Sequence, residues 1–307
     1  MSAVPVARVG ARVVLLDDAD RVLLIEEGGD EPGNRWRHWL TPGGGVEADE
    51  ALSAAAVREV LEETGLRVYL SPDAAPFHTQ RRQWAWRGVR YDQVDNYFAA
   101  RVSRAFEVSP AAPTEMELET VIGARWWTLD ELAADRHSTF VPPDIADVAR
   151  RAAADPAVPR PAFRPAGRAL VVDPMGAVLL MNIRPDLEAA GSNWITPGGG
   201  CDDGESPAGA AARELAEETG IAADFGEQES VATEHAVFPF GGRLYDQVDH
   251  FFLLRVGERP DLDLSGLTEG ERAMLLEFRW WTAAELRARA DVVWPADLSD
   301  ILDRITS

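Results

Sequence analysis

No lysine occurs in these 307 residues, and cysteine occurs once. The first absence removes every mechanism built on an amine nucleophile or a Schiff base. The second removes any intrachain disulfide and suits a reducing cytoplasm. Long apolar runs are also missing, so no segment reaches the roughly 20 residues that a membrane-spanning helix needs. The opening MSAVPVARVG lacks the apolar stretch of a secretory leader. Positive charge is scarce: 30 basic residues, all arginine, stand against 52 acidic ones, for a formal net charge of −22. A surface of that sign repels polyanions, which argues against nucleic-acid polymers and leaves small ligands and divalent cations as partners. The expectation is a cytoplasmic protein without a membrane partner. At 46% hydrophobic and 27% charged it has a globular composition, with enough length for two domains.

The chain writes one unit twice. Arg58-Glu59 returns as Arg213-Glu214, 155 residues later. Tyr91-Asp92-Gln93-Val94-Asp95 returns as Tyr245-Asp246-Gln247-Val248-Asp249, and Arg125-Trp126-Trp127-Thr128 as Arg279-Trp280-Trp281-Thr282, both offset by 154. A period that long is a duplicated domain. DPAVPRPAFRPAG, residues 155–167, holds four prolines and reads as a semi-rigid extended linker. The expected domains are therefore 1–158 and 159–307. Each copy predicts two strands around a polar turn, a loop to Trp39 or Trp194, a glycine turn and a helix capped by Gly65 or Gly220. Ser206-Pro207 makes a helix start in the second copy. Two longer strands follow, near 77–86 and 91–102 and again near 231–240 and 245–256. A short strand then carries Arg-Trp-Trp, and closing helices begin near Leu129 and Ala283. Strands with interspersed helices predict an α/β fold, a mixed sheet covered by helices.

The chemistry concentrates after the glycine turns, TPGGG in both copies. On a helix, Glu59, Glu62 and Glu63 fall within about 100° of arc, and Glu214, Glu217 and Glu218 repeat the arrangement. Like charges one turn apart destabilise a helix by roughly 0.2–0.5 kcal/mol per pair. A hard cation among them relieves the repulsion, and magnesium suits a few carboxylates plus water and phosphate oxygens. Arg58 and Arg213 are placed to hold a carboxylate in a metal-binding orientation. A merely solvated acidic face is the plainer reading of one such helix. Two helices whose filler residues differ while glycine, arginine and glutamate coincide argue against it.

Gly44, Glu50, Arg58, Glu59, Val60, Glu62, Glu63, Gly65 and Leu66 resemble the box of the Nudix (MutT-like) hydrolase family at every position. Gly199, Glu205, Arg213, Glu214, Leu215, Glu217, Glu218, Gly220 and Ile221 do so again. The resemblance covers nearly the whole chain, twice. It implies two tandem α/β/α sandwiches, each around a mixed β-sheet. It also implies magnesium- or manganese-dependent hydrolysis of a nucleoside diphosphate linked to another moiety. The implied metal ligands are Glu59, Glu62, Glu63 and the Gly43 carbonyl, and in the second copy Glu214, Glu217, Glu218 and the Gly198 carbonyl. Arg58 and Arg213 belong to the same catalytic set, and Glu50 and Glu205 would brace the loop–helix turn.

The general base stays open between a box glutamate and a later carboxylate. The later candidates are Asp92, Asp95, Glu115 and Glu117, with Asp246, Asp249, Glu269 and Glu271 as counterparts, and for each the plainer reading is an exposed turn carboxylate. The run from Arg81 to Arg90 interleaves cations and rings, either as a pocket for phosphates and a stacked base or as a strand pair with solvated arginines. Trp126-Trp127 and Trp280-Trp281 read as packing at a sheet edge, and Cys201 as a space-filler. Two other classes compete: a sensor or scaffold that binds a nucleotide derivative without turnover, and a diphosphate isomerase. Intact boxes favour hydrolysis over both.

Overall fold

The computed structural model describes every residue except 1–3, 32–33, 72, 87, 111–114, 185–190, 290–291 and 307. The first copy runs β1 (Val6–Leu16), β2 (Val22–Glu31), β3 (Asn34–Leu40), β4 (Gly43–Gly45), α1 (Leu52–Thr64), β5 (Leu66–Arg67), β6 (His78–Trp86) and β7 (Val89–Arg101). It closes with α2 (Glu115–Thr120), β8 (Val121–Trp127), α3 (Leu129–Ala134), β9 (Phe140–Val141) and α4 (Ile145–Ala154). The second copy runs β10 (Ala162–Val172), β11 (Val178–Ile183), β12 (Asn193–Ile195), β13 (Gly198–Gly200), α5 (Pro207–Thr219), β14 (Ala232–Phe240) and β15 (Arg243–Arg255). It ends with α6 (Glu269–Met274), β16 (Leu275–Trp281), α7 (Ala283–Ala288), β17 (Val292–Trp294) and α8 (Leu298–Thr306). Among the described residues no helix is long and apolar enough to cross a membrane.

Each sheet is mixed because β1 takes partners of both kinds. It runs parallel to β7 from Val6↔Tyr91 to Leu16↔Arg101 and antiparallel to β4 through Gly10↔Gly45, Ala11↔Gly44 and Arg12↔Gly43. In the second copy β10 meets β13 in the same register, with Gly167↔Gly199 and Arg168↔Gly198. Strand alternation then sorts the apolar residues onto two faces. Ala11, Val13 and Leu15 pack with Ala55, Ala56 and Val60 of α1. Val14 and Leu16 pack on the other face with Ile145, Val148, Ala149 and Ala152 of α4. The second copy repeats this, Ala169 and Val171 toward α5 and Leu170 and Val172 toward α8. Helices on both faces of a mixed sheet make the α/β/α sandwich.

The box helices end where the sequence places their caps. Gly65 and Gly220 adopt left-handed conformations, φ 76° and 74°, and their N–H groups return to Leu61 and Ala216. Ser206 accepts the Gly209 N–H at the start of α5, with Pro207 in the first turn.

The proline-rich segment differs from its expectation. Only its first half lies outside regular structure, because Ala162–Gly167 already belongs to β10 and Ala166 and Gly167 pair with the glycine strand. Backbone pairing claims these residues, and the proline at 165 accepts at its carbonyl from Cys201. The chain forms two compact units: Met1–Phe163 with Ala236–Asp246, and Arg164–His235 with Gln247–Ser307. Their main segments meet at Phe163 and Arg164, a few residues past the expected cut at 158/159.

One close approach is diagnostic of strand–helix packing in the second unit. A Cβ on Gly167 would lie 1.8 Å from the Pro207 carbonyl oxygen and 2.7 Å from the Ala211 nitrogen. Its register counterpart in the first copy is Ala11, fully buried. Gly167→Ala is therefore expected to destabilise the second unit by about 1–3 kcal/mol through overpacking. Thermal or urea denaturation checks this. An unchanged melting profile would mean that β10 and α5 are not packed this closely.

Candidate active site

One guanidinium organises each box. Arg58 Nε and Nη2 donate to the two oxygens of Glu50 at 2.9 and 3.0 Å, and Nη2 also reaches the Gly45 carbonyl at 2.9 Å. Its Nη1 donates to Glu59 at 3.1 Å and to Glu62 at 3.0 Å. Arg213 makes the same contacts with Glu205, Gly200, Glu214 and Glu217 at 2.9–3.2 Å. Glu50 and Glu205 thus brace the loop–helix turn through arginine, and each also accepts a loop N–H, from Glu47 or Asp202. The like-charge repulsion read from the sequence is relieved here by arginine.

The glycine strand supplies the second anchor. Gly43 N–H donates to Glu63 Oε2 at 2.8 Å, and Gly198 N–H to Glu218 Oε2 at 2.8 Å. Gly43 and Gly198 hold φ of 133° and 139°, and a Cβ on either would lie 2.3 or 2.4 Å from a carbonyl oxygen of the neighbouring strand. Next in line, a Cβ on Gly44 or Gly199 would strike the carboxylate of Glu59 or Glu214 at 2.4 Å. The triple glycine is what lets these carboxylates lie against the backbone.

Beneath the glycines runs a buried ion pair that the box does not contain. Arg12 Nε lies 3.2 Å from Asp95 Oδ1 and its Nη1 donates to the Thr41 carbonyl, with both side chains nearly sealed from solvent. Arg168 repeats the pair with Asp249 at 2.7 Å and donates to the Thr196 and Gly198 carbonyls. Gln93 and Gln247 each donate to the same aspartate. The copies differ at the aspartate's other oxygen. Arg82 takes it in the first at 2.6 Å, and the Trp294 indole N–H takes it in the second at 3.0 Å.

These surroundings shift the carboxylates apart. Burial pushes Glu63 well above the usual carboxylate range, aided by Glu27 and Glu59 and opposed by Arg12 and the Gly43 N–H. Burial pushes Glu218 up to about 8, with Glu214 and Glu271 adding and the Gly198 N–H and Arg168 opposing. Glu214 is raised by burial too, against Arg213. Glu50 and Glu205 move the other way, lowered chiefly by their bonds to Arg58 and Arg213.

Three of the later carboxylates depart from the plainer reading of an exposed turn group. Asp95, Asp246 and Asp249 are buried on strands; alternation sets Asp95 and Asp249 on the faces of Gln93 and Gln247, and Asp246 on the opposite face of β15. Asp95 and Asp249 serve the arginine pairs, Asp92 pairs with Arg81, and Asp246, in the first compact unit, accepts from Ser103. Glu269 is exposed, whereas Glu271 completes the cap of α6 while its charge acts on Glu214 and Glu218. The side chains of Glu115 and Glu117 lie outside the described residues. Within the run of cations and rings, Arg82 is half-buried on Asp95 and Trp84 stacks on Tyr91 at 4.4 Å while donating to Gln93. The Trp86 and Arg87 side chains lie outside the described residues. Trp127 and Trp281 are core residues, set edge-on against Trp39 and Trp194. Burial and then Glu205 push the Cys201 thiol up, the opposite of an activated nucleophile.

The donor set tests the metal the box implies. It consists of carboxylates and backbone carbonyls, the oxygen ligands of a hard divalent cation, and the raised Glu63, Glu214 and Glu218 are groups that a cation would hold ionised. In this arrangement, however, Arg58 and Arg213 gather Glu59, Glu62, Glu214 and Glu217. Among the described residues no group of three or more His, Cys, Asp or Glu side chains is placed to hold a metal ion. The Gly198 carbonyl is meanwhile engaged by Arg168 at 3.2 Å. The chemistry fits, and each arginine bond to Glu59, Glu62, Glu214 or Glu217 engages one of that carboxylate's two oxygens.

Comparison with known proteins bears on both copies. A model of the NUDIX domain matches residues 6–146 and 162–300. An RNA pyrophosphohydrolase of Novosphingobium aromaticivorans is 32% identical over 128 residues, 38% of this chain and 76% of that protein. One of Sphingopyxis alaskensis is 29% identical over 134 residues, 40% of this chain and 78% of that protein. Among solved structures, a MutT protein from Methanosarcina mazei Go1 aligns over 48% of this chain and 94% of its own, at 20% identity and a TM-score of 0.35.

The raised Glu218 predicts a signature in the metal-free protein. Its proton is held to about pH 8 in the fold but only to 4.5, its ordinary value, once unfolded. Folded protein therefore binds the extra proton between those values, and stability falls as pH rises through them. Glu218→Gln removes that dependence. In EDTA, its melting temperature is expected to match wild type near pH 5 and to exceed it increasingly toward pH 8.5. A gap that stays constant across that range would show that Glu218 is not held neutral.

Proposed function

The chain belongs to the Nudix family, whose domain it carries twice, and on that premise we propose that each copy hydrolyses a nucleoside diphosphate linked to another moiety, using magnesium or manganese. The observation that supports this reading is the pair of matching carboxylate sets. Glu59, Glu62 and Glu63, and Glu214, Glu217 and Glu218, hang from Arg58 or Arg213 and from a glycine N–H. Glu59, Glu62, Glu63 and the Gly43 carbonyl would hold the metal in the first copy, and Glu214, Glu217, Glu218 and the Gly198 carbonyl in the second. When bound, the metal neutralises diphosphate charge and lowers the pKa of an attacking water.

The protein's own part is orientation and proton management. Arg58 and Arg213 fix the box glutamates relative to the glycine strand, and Glu50 and Glu205 fix the arginines. Burial raises Glu63 and Glu218 in the metal-free fold, so taking up the cation would release the protons they hold. Glu271 is the later carboxylate placed to assist in the second copy, with one oxygen committed to Thr268. The net charge of −22 favours a small nucleotide over an RNA chain as substrate. A second reading, a sensor that binds a nucleotide derivative without turnover, draws support from the arginine-bound carboxylates alone.

Magnesium-dependent hydrolysis of nucleoside triphosphates, nucleotide sugars and dinucleotides separates these readings. Glu63→Gln and Glu218→Gln are each expected to remove one activity, and the double variant both. Arg58→Gln should retain the fold and lose about 10- to 100-fold in kcat/KM at the first site. A wild type inert on the whole panel would leave the sensor reading standing.

A further inference from the structure

The two sites share their boxes and their buried arginine–aspartate pairs, and differ in the wall beside them. In the first unit Glu27 of β2 stands opposite His38 of β3, with Glu27 Oε2 3.1 Å from His38 Nε2. Both side chains are about one-fifth exposed, 22% and 21%, so this wall faces accessible space. The Trp36 ring stacks on His38 at 4.9 Å and 18°. Glu27 lies near enough to the box for its charge to act on Glu63. His38, Arg12 and Arg82 outweigh its burial and keep it ionised. Among the described residues, the Oε1 of Glu27 accepts no hydrogen bond.

The second unit lacks this device at the same register. There β11 and β12 pair Asn182 with Trp194 and Ile183 with Asn193, just as β2 and β3 pair Glu26 with Trp39 and Glu27 with His38. Ile183 thus holds the Glu27 position and Asn193 that of His38. Arg82 is likewise matched by the neutral Trp294 indole on the aspartate. One wall carries a carboxylate with an unused oxygen, and at the matching positions the other carries no charge.

We propose that Glu27 is the specificity-determining acceptor of the first site, receiving a hydrogen-bond donor on the nucleoside of the substrate, and that the second site does not select for such a donor. The proposal rests on the reading of the box as a diphosphate site. An ionised carboxylate is an acceptor only. A ligand without a donor leaves the second oxygen of a half-buried carboxylate without a partner, and that loss produces the rejection. Two chemistries offer the donor, the amino group of a base or the hydroxyls of a sugar. A purely internal role, in which Glu27 balances Arg12 and Arg82, predicts no such selection.

The test uses the full chain carrying Glu218→Gln, which silences hydrolysis at the second site, and the Glu27 variants assign any binding preference to the first. Binding of guanosine diphosphate, inosine diphosphate and 2′,3′-dideoxyguanosine diphosphate is measured by calorimetry in magnesium, and hydrolysis of the matching triphosphates is followed in parallel. Guanosine against inosine reports on the base amino group, and ribose against dideoxyribose on the sugar hydroxyls. One of these pairs is expected to differ by about 10- to 100-fold in favour of the donor. The difference should shrink to less than about threefold in Glu27→Ile and in part in Glu27→Gln, which keeps a neutral acceptor, chiefly through KM. Conversely, Ile183→Glu in a Glu63→Gln chain should acquire the preference. Equal binding on both arms, or a preference that survives both Glu27 variants, overturns the proposal. Absence of hydrolysis with a Glu27-dependent binding preference would sink the hydrolase reading and leave this one intact.

Discussion

Both sites hang on a single planar cation. Arg58 spends its donors on a loop carboxylate, a strand carbonyl and two carboxylates of its own helix, and Arg213 repeats each bond to within 0.2 Å. No other side chain could do this, because a lysine ammonium has three donors and no fixed fork. The guanidinium turns three mutually repelling groups into one rigid object and ties that object to the glycine strand. Loss of it would leave the glutamates free to spread into solvent, while the apolar packing of the helix on the sheet stays in place.

The buried pair beneath the glycines complements that hub. Arg12 joins β1 to β7 through Asp95 and to the segment before the glycines through the Thr41 carbonyl. Breaking such a pair by removing one partner costs about 3–5 kcal/mol, since the other charge is left stranded. The arginine also sits close enough to Glu63 to oppose its burial. Desolvation raises the carboxylate and the arginine restrains the rise, so the backbone and the protonation of the site are set by the same residue.

The architecture was legible in the sequence because it is periodic and repeated. The apolar run Val13–Leu16, the capping glycines and Ser206-Pro207 each specify local geometry that survives folding. The box positions were legible for the same reason. What escaped was non-local. Arg12 and Asp95 are 83 residues apart, and nothing in either one's neighbourhood says that parallel pairing of β1 and β7 will join them. The faint signal was the second appearance of Gln-Val-Asp together with an arginine 156 residues after Arg12, which points to pairing, not to turn exposure. Glu27 and His38 gave no repeat signal at all, because the second copy replaces both.

The hydrogen bonds from Gly43 and Gly198 have a spectroscopic consequence. Each amide proton is held by a carboxylate at 2.8 Å instead of by a sheet carbonyl. Its magnetic environment follows the charge and engagement of that one carboxylate. Glycine nitrogens resonate apart from those of other residue types, so the pair forms two native labels within one polypeptide. A single amide spectrum recorded during a titration could follow what happens at each site separately, without an attached probe.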